Sequence, residues 1–437
     1  MRKIILPVLA GILLIEGGLL ASRRTDPGHA KDFLVMYQGT RTALEGRNPY
    51  HAGMVFDTTD AAGFFYPPES FLVFAPFALL PWSVASWVWI GFLTLCAAAS
   101  STLAWTFQRP AGDHTKVALA ILGVLLLNPL CFGAIGLGQT ALLIAAGVCL
   151  GRWAFEHGRY WLGILAWSVA AIKPHLALPF LAIVVVMYGW RHFRDLVLMI
   201  VALNVLGCLL TTHNPLTLLD YVRFLGQSHL EIGYNQVNND QIVSWNRVVY
   251  ALTGANYNLR PVTMVAGLMV WGILGWIRSF HSSSREFTPA LWIAYAALGS
   301  LLCVQAHGYD MVLLVMLVPQ LLWLYEQGYR KDTLYIFSML VMVMIPRFFV
   351  VELLRITHIT GSASELILSY RAVVVVTLAG YLLLRGQPAR RVTEASESGP
   401  ADYLGRSEAS WFSTATSPTR VAGLGDAPST RSDTPAL

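Results

Sequence analysis

Charge is what this chain most lacks. Of its 437 residues only 13% are Asp, Glu, Lys or Arg, while 55% are hydrophobic. A soluble globular domain carries about 25% charged residues, so a water-facing surface over most of the chain is excluded. Runs near twenty apolar residues recur instead, the composition of a polytopic membrane protein. Large polar segments are also missing: the longest are residues 22–68, residues 213–260 and the tail after Arg385. The net charge of +5 is modest, and no basic face for nucleic acid is read from it.

Several catalytic signatures are missing too. There is no phosphate-binding Walker loop, no GxSxG and no GxGxxG behind a strand, which argues against ATP-driven or soluble-nucleotide chemistry. The five cysteines, Cys96, Cys131, Cys149, Cys208 and Cys303, sit in or at the ends of apolar runs without paired spacing, so they read as small buried residues rather than disulfides or metal ligands. His175, His307, Asp310 and Asp240 are dispersed and form no close-spaced pair such as HxxxH, so a metal site has no positive support. No clear internal repeat is present, which weighs against transporters built from two similar halves.

What is present is an all-α pattern of about 10–13 transmembrane helices. Twelve candidate spans fall at roughly 4–21, 84–106, 117–133, 138–155, 159–172, 174–190, 195–212, 261–280, 287–304, 309–326, 333–351 and 366–385. The first could be a cleaved signal peptide ending at Ala21, but its length and the charge pattern favour an uncleaved helix. Residues 69–82 are apolar but short and hold Pro76, so they read as a re-entrant or interfacial helix, or else as the start of a span. The Trp-rich 82–89 segment reads as an aromatic belt. Alternate loops carry Arg2/Lys3, Arg109/Lys116, Arg152/Arg159, Arg191/Arg194, Arg278/Arg285, Arg330/Lys331 and Arg385/Arg390/Arg391. By the positive-inside rule these face the cytoplasm, and so do both termini. Residues 1–385 then form one membrane domain with outer loops 22–68 and 213–260, and residues 386–437 a disordered cytoplasmic tail.

This threading collects the polar clusters on the outer side. They are Lys31-Asp32, Asn48-Pro49-Tyr50, Phe64 to Glu69 with Tyr66, Gly138-Gln139, Lys173-Pro174-His175, the loop around Asn239 and Ser244 to Arg247, and His307 to Asp310. Asp32 alone reads as a helix-start acid; in this company it is a candidate general base. Lys173 and His175 flank a helix-breaking proline, where an ionisable residue points to function, with snorkelling to the interface as the alternative. His307 and Asp310, three apart, serve equally as a helix-capping pair or as ligands of a phosphate or sugar hydroxyl. Tyr66 and its prolines are architectural first, and the amides near Asn239 suit sugar recognition or ordinary loop structure.

The order Asp32-Phe33, Tyr37, Gly46-x-Asn48-Pro49-Tyr50, Phe65-Tyr66-Pro67-Pro68, Gly138-Gln139, Ile172-Lys173-Pro174 and His307-Gly308-Tyr309-Asp310 resembles glycosyltransferase family 87. The resemblance covers about residues 1–385. It implies the C-type glycosyltransferase fold, with the active site on an extracytoplasmic first loop. It further implies an inverting transferase that moves a hexose, foremost mannose, from a polyprenyl-phosphate sugar to a lipid-linked or glycan acceptor at the plasma membrane. Asp32 matches the family's catalytic acid, and no cofactor or metal is implied. Lys173, His175, His307, Asp310, Gln139, Asn48, Tyr50, Tyr66 and Asn239 are the accompanying candidates for binding donor phosphate and substrate. Two rival readings are a flippase for lipid-linked sugars and a lipid-linked glycan polymerase or ligase. The first needs polar residues through the midplane. The second relies on paired arginines in a large outer loop, where residues 213–260 hold only Arg223, Arg247 and Arg260.

Overall fold

The computed structural model describes residues 30–51, 63–106, 129–228, 239, 241–254, 261–281, 289–303, 306–326 and 328–385. The expected first span, residues 117–128 of the third and the tail 386–437 lie outside the described residues. The described chain is mostly helical. Its helices run α1 (Lys31–Leu44), α2 (Glu69–Ala78), α3 (Trp82–Thr106), α4 (Pro129–Leu137), α5 (Ala141–Glu156), α6 (Tyr160–Ala170), α7 (Pro174–Tyr188), α8 (Trp190–Thr211) and α9 (Thr217–Ser228). After the strand β1 (Ile242–Val243) come α10 (Trp245–Thr253), α11 (Pro261–His281) and α12 (Pro289–Leu302). The strand β2 (Ala306–His307) leads into a 310 helix (Gly308–Leu317), then α13 (Val318–Glu326), α14 (Arg330–Met344), α15 (Arg347–Thr357), α16 (Ser362–Leu368) and α17 (Tyr370–Arg385).

Among the described residues, two helices are long and apolar enough to cross a membrane alone, Trp82–Ser100 and Trp190–Thr211; counting bent pairs gives up to five. Helix α11 fills the span expected at 261–280, and among the described residues several of the others are shorter or broken. The span expected at 333–351 ends at Met344, and α15 departs at 81°. Pro346 is the cause, because a residue before proline is pushed to extended backbone, and Ile345 has ψ 123. The span expected at 366–385 likewise divides into α16 and α17, bent by 69°. The span expected at 309–326 begins as ten residues of 310 helix. Residues 69–78 form the short helix expected of a re-entrant element, and α2 packs against both α1 and α8. There Gly207 lets α8 meet the chain at Pro68, whose carbonyl would lie 2.2 Å from any Cβ.

The antiparallel hairpin of α5 and α6 sets the frame of the site. A Cβ at Gly151 would strike Trp167, one at Gly147 would meet Ala166 and Ala170, and one at Gly163 would strike Phe155. Small residues at these crossings bring the two backbones together, the usual device where water supplies no driving force between helices. The start of α5 therefore lies beside the end of α6. The far end of the hairpin carries Arg152 bonded to Glu156, and Tyr160 bonded to Asp195 at the start of α8. The 310 helix packs on α4, α5 and α12, and Gly308 and residues 310–317 are buried. All five cysteines are buried and free.

Candidate active site

Four elements converge at the near end of that hairpin. The joint between α4 and α5 bends by 109° and holds Gly138 and Gln139. Gly138 has φ +76, a left-handed conformation suited to glycine, and any Cβ there would lie 2.6 Å from Cβ of Phe33. Close approach of α1 to this joint thus requires glycine. The Phe33 ring stacks on Trp89 with centroids 4.9 Å apart and on Trp82 at 5.7 Å. Trp89 is fully buried, and its indole N–H donates to Gly138 O at 2.8 Å. Trp82 and Trp89 therefore clamp α1, while Trp87 is 42% exposed. The N-terminus of α1 docks on the same joint, with Ala30 N–H donating to Gly136 O at 2.8 Å.

With α1 seated this way, Asp32 faces Gln139. The Gln139 side-chain N–H donates to Asp32 Oδ2. Its carbonyl oxygen accepts from Lys173 Nζ at 3.4 Å. The two partners fix which way the amide points. Lys173, between α6 and α7, also donates to Asp310 Oδ1 at 2.7 Å. The other oxygen of Asp310 accepts the backbone N–H of His307 at 2.9 Å, in a capping box that opens the 310 helix. Tyr309 completes the group, with Lys173 Nζ 5.2 Å from its ring centre and His307 stacked on it at 5.2 Å. Asp32, Gln139, Lys173, His307 and Asp310 thus form one chain of contacts. Asp32 also lies in the first turn of α1, where its charge suits the helix N-terminus. Burial raises its pKa above the usual 3.8, an effect opposed by the Gln139 hydrogen bond and then by the charges of Lys173 and Lys31. Burial also drives His307 down to about 4, so its imidazole is neutral at pH 7.

The other candidates are placed differently. Asn48 Nδ2 donates to Asp220 Oδ2 at 2.8 Å, Asn48 Oδ1 accepts from Tyr50 N–H, and Tyr50 OH donates to Tyr66 O at 2.6 Å. The Tyr50 ring sits among Phe64, Phe71, Tyr221 and Phe224. These contacts fold the loop onto α9. Asn239 bonds Gln241 N–H at 3.0 Å through its side chain and accepts from Ile242 N–H through its carbonyl. Ile242 pairs with His307 in the two-stranded ladder, so the second loop is stitched to the site by backbone. His175 is half-buried in the first turn of α7, two residues from Lys173.

The model of glycosyltransferase family 87 matches residues 64–304, more than half of the chain. The chain belongs to glycosyltransferase family 87. The matched region contains Gln139, Lys173 and His175, while Asp32, His307 and Asp310 lie outside it and join it through the contacts above. Membership makes this protein a membrane glycosyltransferase. No curated protein and no solved structure matches the chain significantly.

Proposed function

We propose that this family 87 enzyme transfers a hexose, foremost mannose, from a polyprenyl-phosphate sugar to a lipid-linked or glycan acceptor, with inversion, on the extracytoplasmic face of the plasma membrane. The architecture would be the C-type glycosyltransferase fold, with both termini cytoplasmic. The observation that carries the reading is Asp32. It is a half-buried carboxylate with a raised pKa, placed by a docked helix and linked through Gln139 to a lysine. That is the setting of a positioned general base.

In the reaction, Asp32 takes the proton of the acceptor hydroxyl as its oxygen attacks the anomeric carbon. The bond from that carbon to the phosphate oxygen breaks on the opposite face, and polyprenyl phosphate leaves with the electron pair. One displacement inverts the centre and needs no second carboxylate as nucleophile. Lys173 donates a hydrogen bond toward the leaving phosphate, with His175 beside it, and this stabilises the charge that develops there. His307, neutral, serves as a hydrogen-bonding group for a sugar hydroxyl. Sidedness is supported by the hairpin, which separates the Asp32 group from the arginines at its other end.

The test is transfer from labelled polyprenyl-phosphate mannose in membranes containing the wild type or Asp32→Asn. Product from the wild type alone supports the donor and the base together. Equal product from both removes Asp32 from the mechanism. Movement of the donor across liposomes without turnover would replace the transferase by a flippase.

A further inference from the structure

Among the described residues, the charged groups that act on Asp32 cancel. Lys31 and Lys173 stand against Asp32 and Asp310, and Lys173 is already bonded to the Asp310 carboxylate. His307 adds no charge at pH 7. A lipid phosphate entering this group would find hydrogen-bond donors but no net attraction, and leaving water costs an anion several kcal/mol. The site needs another cation.

One lies against it. Arg371 stands in the first turn of α17, and its Nη1 would be 2.7 Å from a Cβ built on Gly308. Gly308, between His307 and Tyr309 in sequence, leaves room for the guanidinium there, and a methyl at that position would push the flexible side chain aside. The known bonds of Arg371 are few. Its Nη2 reaches Ile345 O at 3.4 Å, and its guanidinium lies over the Tyr370 ring at 5.4 Å and hydrogen-bonds the Tyr370 hydroxyl. Its Nε is buried with no hydrogen-bond partner. Among the described residues it has no carboxylate partner, whereas Arg152, Arg247 and Lys173 each have one. A buried guanidinium donor without an acceptor is costly, and such groups call for an explanation. A phosphate is the acceptor that a planar guanidinium fits best.

We infer that Arg371 binds the phosphate of the lipid donor beside Lys173, entering over Gly308 and supplying the positive charge that Lys173 has given to Asp310. The inference rests on the transferase reading for the identity of the donor, but not for the presence of a phosphate site. Arg371 lies outside the family-matched residues 64–304.

Binding of polyprenyl phosphate and of neutral polyprenol to the full chain in nanodiscs tests it without any need for turnover. The wild type is expected to prefer the phosphate. Arg371→Gln is expected to weaken polyprenyl phosphate by about tenfold or more, as loss of a charged hydrogen-bond partner does, and to leave polyprenol unchanged. Gly308→Ala, which keeps the charge but displaces the guanidinium, should act in the same direction, and Arg371→Lys should retain part of the preference. Equal binding of phosphate and alcohol by the wild type would overturn the inference, as would an unchanged preference in Arg371→Gln. Competition by phosphatidylglycerol as effective as by polyprenyl phosphate would also overturn it, since the site would then be one for any anionic lipid. A wild type with phosphate preference but no transfer would sink the transferase reading and leave the Arg371 assignment standing.

Discussion

Lys173 Nζ lies 2.7 Å from Asp310 Oδ1, although 137 positions separate the two residues in the chain. That contact closes the joint between α6 and α7 onto the 310 helix. It also decides how Gln139 is used, because an ammonium held on one side of an amide presents the amide N–H to whatever lies on the other. What lies there is Asp32. The Asp32 carboxylate, the amide and the ion pair therefore form one unit, and several consequences can be measured.

Asp32→Asn should lower transfer by about a hundredfold or more, the usual cost of losing a required base. The same variant should be as stable as the wild type or more so. The folded pKa of Asp32 is raised above 3.8, so the folded state holds the proton more tightly than the unfolded chain. The stability this gives is present below the unfolded pKa and is lost as pH rises through the folded one. At neutral pH the ionised group is a burden that asparagine lacks. Thermal unfolding in nanodiscs checks the second half; a clear fall in midpoint would show that the carboxylate has a structural role instead.

Gln139→Leu removes the hydrogen bond that lowers the Asp32 pKa. The pKa should therefore climb further, and the acidic limb of the rate–pH profile should move to higher pH. Rates at the alkaline plateau should also fall, since Lys173 loses its second contact. An acidic limb that stays in place would uncouple Gln139 from the base.

Much of this site was legible in the sequence. Asp32, Gln139, Lys173, His307 and Asp310 stand out as polar residues at the ends of apolar runs, and charge placement put them on one side. Their pairing was not legible, because it depends on the close crossings at Gly147 and Gly151 and on the bend at Gly138. Trp82 and Trp89 looked like belt residues, since a tryptophan that grips a helix and one that faces lipid have the same spacing. The break at Pro346 was visible as a proline, yet apolar residues on both sides concealed the change of direction. Arg371 carried a weaker signal: under the expected threading it falls, with Arg347 and Arg355, toward the outer end of the last two spans, where that threading places few positive residues.

Gly138→Ala should destabilise the protein by about 1–3 kcal/mol, from a strained positive φ and a clash with Phe33. Because the same residue aims Gln139, transfer should fall as well. Gly91→Ala on α3 is the control: nothing lies within 4 Å of its Cβ position, so it should be neutral or stabilising by up to about 1 kcal/mol. Unfolding midpoints of the two variants, measured side by side, decide the matter.

His307 has a folded pKa of about 4, against 6.5 for the free side chain. Between those values the unfolded chain binds the proton and the folded protein does not, so stability rises with pH across that window and falls as pH drops from 6.5 toward 4. Above pH 7 the effect vanishes. His307→Gln should flatten the pH dependence of the unfolding midpoint over that range, and an unaltered slope would place its cause elsewhere.

The pair of Lys173 and Asp310 separates holding the site together from holding the donor. Lys173→Met leaves a fully buried carboxylate without its cation, and breaking such a pair from one side costs about 3–5 kcal/mol. Asp310→Asn leaves the ammonium without its anion but keeps an oxygen for the His307 N–H. The double variant removes both charges, so its loss of stability should be smaller than the sum of the two single losses, a coupling that a double-mutant cycle reads directly. Its transfer rate should remain low, because Gln139 is no longer anchored and the leaving phosphate has lost a donor. Its preference for polyprenyl phosphate over polyprenol should nevertheless persist, since Arg371 and Gly308 are untouched. If that preference disappears in the double variant while the fold survives, Lys173 carries the phosphate charge after all, and Arg371 does not.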